Sequence, residues 1–243
     1  MTNKWLKVAL MAAAIATGTS IKIDAETVLY VPQDDRPVSL QYTVDTARVA
    51  GMTILTPPQN LISGKNYQGQ ADQIMAWVEQ NAGRADVMVL STDTLIYGGL
   101  VDSRKHNIPL TTLESRLKRI ESLKARNKNV RIYGFGTVMR SPRASGGGTE
   151  PAYYAEYGPT IFQIAALQDK LDSGSLTQEE TQKLMSLQAS VPVEYLQDWF
   201  DRRQKNMKIN KELIDETRSG VFDYFALGHD DTSQLSQSAL EGR

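Results

Sequence analysis

Residues 85–104 read ADVMVLSTDTLIYGGLVDSR, and this stretch decides how the rest of the chain is arranged. Residues 87–90 form a short apolar run, rich in β-branched side chains and bounded by polar residues, which is the pattern of a buried strand. The run empties into Asp93, Tyr97, Gly98, Gly99, Ser103 and Arg104. Ligands collect at the carboxyl ends of parallel strands in α/β proteins, so an acid, a glycine pair and an arginine at such an end mark a candidate site. The same punctuation returns in VPQDDRP at 31–37, GTVMR at 136–140 and LGHDD at 227–231.

Working outward, strands are expected at 27–31, 52–56, 87–90, 130–138 and 221–227, with helical patterns between them. Residues 38–50 precede Gly51 as a C-cap, and residues 71–80 place Ala71, Ile74, Trp77 and Val78 on one face. Thr111-x-x-Glu114 reads as a capping box before the stripe Leu113, Leu117, Ile120 and Leu123, and Thr177-x-x-Glu180 reads as a second one. Residues 193–218 form a long helix with Leu196, Phe200, Met207 and Ile214 inward. Residues 152–190 break the rhythm, with Tyr153, Tyr154, Tyr157 and Phe162 read as an excursion over the mouth of the site. Those rings either stack on sugar faces or pack under a long loop. The connections are helix-length, so the strands pair in parallel. The expected fold is a partial (β/α)8 barrel, with an open doubly wound sheet as the alternative. No G-x-G-x-x-G follows any strand, which argues against a dinucleotide cofactor.

The chain has 243 residues, 41% of them apolar, enough for a real core, and its net charge of −1 makes nucleic acid an unexpected partner. There are no cysteines, so disulfides and thiolate chemistry are excluded. Lys4 and Lys7 precede an apolar run at 8–16 that fits a signal peptide, with cleavage after Ala25. That leaves residues 26–243 as one α/β domain, periplasmic or secreted, with no stable membrane span. An uncleaved anchor is the alternative.

The chain resembles the bacterial domain-of-unknown-function family numbered 4127. The resemblance rests on Asp34-Asp35-Arg36-Pro37, Pro57-Pro58, the motif Asp93-x-Leu95-x-Tyr97-Gly98-Gly99-Leu100-Val101-x-Ser103-Arg104, and Gly228-x-Asp230-Asp231. Gln33 stands where an aliphatic residue is expected. Members are longer than this chain, so the resemblance implies an amino-terminal portion. It implies no activity.

Three chemistries fit the residues. Asp230-Asp231 resembles the aspartate pair of O-GlcNAcase-type hexosaminidases, in which one acid orients the acetamido group of the substrate and its neighbour protonates the leaving oxygen. In that reading Asp34, Asp35 and Asp93 hold sugar hydroxyls, and Arg36, Arg104 and Arg140 bind a carboxylate or position the acids, with Tyr97 beside them. Asp34-Asp35 followed by proline also resembles polysaccharide deacetylases, but the two histidines, His106 and His229, lie far apart. An oxygen-only metal site from Asp34, Asp35, Asp93, Asp230 and Asp231 is the variant of that reading. The third reading is a glycan-binding protein without catalysis. Of these, hydrolysis of a small-molecule or glycan substrate without metal or cofactor is expected, with Asp230 and Asp231 catalytic. His106 is expected to be exposed.

Overall fold

The computed structural model describes residues 25–144, 147–230 and 235–242. The expected leader, apart from Ala25, and Asp231 lie outside the described residues. Strands β1 (Thr27–Val31), β2 (Thr53–Leu55), β3 (Val87–Ser91), β4 (Arg131–Val138) and β5 (Tyr224–His229) form one sheet. Their order is β2-β1-β3-β4-β5, and every neighbouring pair is parallel.

The parallel β/α reading therefore stands, and of the two compatible architectures the open sheet is the one observed. A barrel segment would carry its strands in chain order, whereas here β1 lies between β2 and β3. Both arrangements use the same strand–helix–strand crossovers, so the repeat pattern alone does not separate them.

Winding proceeds one way from β1 to β2 and the other way from β2 to β5, so right-handed crossovers divide the helices between two faces. One face carries α1 (Gln41–Val49), of which only Val44 is buried. The main core lies on the other. There Ile74, Met75 and Val78 of α2 (Ala71–Asn81) pack with Leu29, Val31, Met88, Leu90 and Ile132 of the sheet. α3 (Thr92–Tyr97) and α4 (Leu100–Lys105) follow β3 directly and lead to α5 (Leu110–Arg126). Leu113, Leu117, Ile120 and Leu123 of α5 face the same core, as their spacing predicts. The Thr111 cap is not formed: Pro109, with φ −59°, is the N-cap of α5, so the helix starts one residue before Thr111.

α6 (Tyr154–Asp172) and α7 (Gln178–Ala189) build a second core with the start of α8 (Val193–Arg218), centred on Tyr154, Ile161, Ile164, Leu184 and Trp199. The expected Thr177–Glu180 capping box is present at α7. Tyr153 stacks on Tyr195 and Tyr154 packs on Trp199, so these rings hold helices together. α8 matches its expected span, but its buried face is Trp199, Arg202, Arg203, Asn206, Ile209, Asn210 and Leu213. The expected stripe is displaced, and Ile214 is exposed. A last short helix, α9 (Gln237–Glu241), packs near α6. No helix among the described residues is long and apolar enough to cross a membrane.

Candidate functional site

Reversal of winding between β1 and β3 opens a crevice beyond their carboxyl ends, the place where open α/β sheets bind ligands. A cavity of about 330 Å³ lies there. The β1 loop contributes Gln33, Asp34 and Arg36, and α4 contributes Leu100, Val101 and Arg104. Arg140 and Thr149 come from the segment after β4, Asp230 from the end of β5, and Lys65 from the loop after β2. All four sequence motifs thus reach one hollow. Broader grooves near Lys170 and Leu240, about 410 Å³, and near Lys205, about 500 Å³, gather no strand ends.

Two glycines allow the approach of the elements. Gly98 ends α3 at φ +112°, a backbone state that side chains rarely adopt. A Cβ on Gly99 would sit 1.8 Å from Ser63 Oγ, so the β2 loop reaches the start of α4 only because that side chain is missing.

The adjacent aspartates of the first motif diverge. Asp34 is buried, and its carboxylate accepts from Arg36 Nε at 2.7 Å and from the Arg36 amide. Asp35 instead accepts from the Tyr67 hydroxyl and lines a separate groove with Pro37 and Gln59, so its expected place in the site is corrected. Neighbouring side chains leaving a strand keep some of its alternation, which turns one in and the next away.

Arg104 is 4% exposed. Its Nη2 donates to Asp230 Oδ2 at 2.5 Å, its Nη1 lies 4.0 Å from Glu150 Oε1, and its Nε has no partner. Arg140 donates from Nε to the buried Glu150 at 2.8 Å and from Nη2 to Thr149 Oγ1 at 2.7 Å. Arg203, buried in α8, braces this wall. It donates to the Arg140 carbonyl at 2.9 Å and the Met139 carbonyl at 2.6 Å, while its Nε and Nη2 pair with Glu241 at 2.7 Å each.

Asp93 sits in the first turn of α3, 1% exposed, behind Gln33 rather than in the cavity wall. Its Oδ2 accepts from Gln33 Nε2 at 3.0 Å and from Thr137 Oγ1 at 2.8 Å. Burial raises its carboxyl to about 6, only partly offset by those hydrogen bonds, and the charge of Asp230 adds to the rise. Tyr97 does not line the cavity either. It stacks on His106 with ring centroids 4.9 Å apart, and burial pushes its unpartnered hydroxyl well up. His106 is buried, not exposed: a ring nitrogen pairs with Asn206 Oδ1 at 2.8 Å, and burial lowers the ring to about 4. The Lys and Asn neighbours that suggested a surface loop are themselves turned outward or tied to α8.

Asp34, Arg36, Arg104, Arg140 and Asp230 are therefore brought together, Asp93 and Tyr97 stand behind them, and Asp35 faces elsewhere. Lys65, Thr149, Glu150, Arg203 and Thr137 were not singled out from sequence. Gln33 carried a signal, because a polar residue stood where the resemblance called for an aliphatic one. Among the described residues no group of three or more acids and histidines is placed to hold a metal ion. Each described aspartate that such a site would need is already engaged by an arginine, a tyrosine, or a glutamine and threonine.

No match to the chain was found among curated proteins or among solved structures. The family model described as "Protein of unknown function (DUF4127)" matches residues 28–243, nearly the whole chain, and the chain belongs to that family.

Proposed function

We propose that the cavity is the active site of an exported glycoside hydrolase acting on an acetamido sugar or a cell-wall glycan. The observation that carries this reading is the convergence of four separate strand-end segments on one polar hollow of about 330 Å³, the lower end of the range for small-molecule sites. Asp230, held by Arg104, is the carboxylate that orients the acetamido group. Asp231, outside the described residues, protonates the leaving oxygen. Gln33 and Asp34 hydrogen-bond sugar hydroxyls at the β1 side, and Arg140 closes the far wall. Substrate-assisted cleavage of this kind needs neither a protein nucleophile nor a second carboxylate at a fixed separation.

The test is turnover of chromogenic N-acetylhexosaminides by the chain and by Asp230→Asn and Asp231→Asn variants. Hydrolysis that both substitutions abolish, with melting temperatures unchanged, supports the reading. Hydrolysis that survives both overturns it. The second reading, glycan binding without cleavage, is favoured by one feature: both described acids in the cavity wall already carry an arginine. Glycan-dependent thermal stabilisation with no product formed would establish it in place of the first.

A further inference from the structure

Among the described residues that line the cavity, the cations Arg36, Lys65, Arg104 and Arg140 outnumber the acids Asp34 and Asp230. Asp34 is matched by Arg36, Asp230 by Arg104, and the buried Glu150 by Arg140. Lys65 also lines the hollow, is exposed, and makes no ion pair among the described residues. Among the described residues, Lys65 is the cation of the wall that no carboxylate matches.

Arg104 shows the same deficit at the level of hydrogen bonds. A guanidinium carries five N–H donors in a fixed fork, and a buried donor without an acceptor is costly. Arg104 lines the cavity at 4% exposure, yet among the described residues its one hydrogen bond is the Nη2 bond to Asp230. Its Nε is sealed off without a partner, and its Nη1 stops 4.0 Å short of Glu150. A clasp whose purpose was to tie β5 to α4 would satisfy its own donors. Arg203 does so, with Nε, Nη1 and Nη2 all bonded.

From the unmatched lysine and the under-bonded arginine we infer that the cavity takes a sugar bearing a single carboxylate, received by Arg104 and Lys65. The carboxylate accepts from the unbonded Nη1 of Arg104 and from Lys65, and charge-assisted bonds of this type are roughly twice as strong as neutral ones. Leu100 and Val101 supply the apolar wall against which a sugar ring lies. The inference rests on reading the cavity as the substrate site, and it adds the class of substrate.

The experiment measures binding, by calorimetry and thermal shift at neutral pH and fixed ionic strength. The probes are N-acetylmuramic acid against N-acetylglucosamine, glucuronate against glucose, and inorganic phosphate. The acidic member of each pair is expected to bind at least tenfold more tightly than its neutral partner, and phosphate more weakly than either acid. Lys65→Gln, at an exposed position that leaves the fold intact, should remove most of that preference, and Arg104→Gln the rest. Equal binding of acidic and neutral sugars overturns the inference, as does an acid preference that Lys65→Gln leaves untouched or phosphate binding above both acids. Binding of the acids without cleavage would sink the hydrolase reading alone. Cleavage of neutral sugars with no preference for acids would sink this one alone.

Discussion

Replacing Asp93 with Asn should turn a nearly flat pH dependence of stability between pH 4 and 6.5 into one that rises with pH. In the folded chain the Asp93 carboxyl titrates near 6 instead of 3.8, so the folded state holds a proton that the unfolded chain has lost. Stability from this group is therefore present at low pH and is lost as pH rises through about 6, by about 3 kcal/mol in all. His106 works in the opposite sense. Its ring titrates near 4 instead of 6.5, the unfolded chain binds the extra proton, and stability is lost as pH falls, again by about 3 kcal/mol. Between pH 4 and 6.5 the two contributions oppose each other and nearly cancel. Asp93→Asn keeps the shape and an acceptor for Gln33 or Thr137 but cannot titrate, so the His106 slope is unmasked. Relative to the parent, urea unfolding free energies of the variant should rise by about 3 kcal/mol from pH 4 to 6.5, or about 6–12 °C in melting temperature. Parallel pH profiles for parent and variant would refute the assignment of the titration to Asp93.

His106→Gln should show the mirror image, retaining a bond to Asn206 while stability falls as pH rises toward 6, and a profile unchanged from the parent would exclude His106 as the acid-labile group. Arg203→Met leaves the Glu241 carboxylate, whose side chain is 6% exposed, without a cation and with Gln237 as its remaining donor, and frees two carbonyls, so chemical denaturation should register a loss of about 3–5 kcal/mol. Gly99→Ala drives a methyl group into Ser63 and should cost about 1–3 kcal/mol, most of it recovered in the double variant with Ser63→Gly. Thr177→Ala removes a formed capping box and should lower stability by about 1 kcal/mol, whereas Thr111→Ala, one residue inside α5, should cost little.

These contrasts mark what was legible in the chain and what was not. β1, β3 and α8 lie where the patterning put them, because a short apolar run and a 3.6-residue period are local properties. β5 begins later than expected: Phe222 belongs to the core before it, and Asp223 turns the chain by pairing with the Ile132 amide and Lys124. Strand order was not legible, since it depends on which strands meet and not on what each contains. The buried face of α8 was misplaced for a related reason. Arg202, Arg203, Asn206 and Asn210 are polar in sequence yet lie inward, because the carbonyls of Met139, Arg140, Ser103, His106 and Thr137 wait for donors there. Hydrophobic spacing cannot register a helix face selected by acceptors on distant loops. The convergence of the four motifs was legible, because strand ends in a parallel sheet share one edge. Which member of Asp34-Asp35 turns inward was not.

The same polar face bears on why this edge of the molecule should be a site at all. Buried ion pairs are weak contributors to stability, since desolvation offsets most of their attraction. Arg203 with Glu241 still has a structural account, because every nitrogen of the guanidinium is bonded and two loop carbonyls are fixed by it. No such account covers Arg104, which is as deeply buried but keeps an unbonded Nε, faces the hollow, and holds Asp230 toward it. The brace and the under-bonded arginine meet at one segment: Arg203 fixes the carbonyl of Arg140, Arg140 fixes Glu150, and Glu150 stands across from Arg104. A rigid outer network that positions an unsatisfied inner group is the arrangement expected of a binding wall prepared before its ligand arrives. Loosening the outer network should then weaken binding without touching the cavity. A conservative Arg203→Lys variant that folds should bind the acidic sugars several-fold less tightly, and unchanged affinity would show that the brace and the hollow are independent.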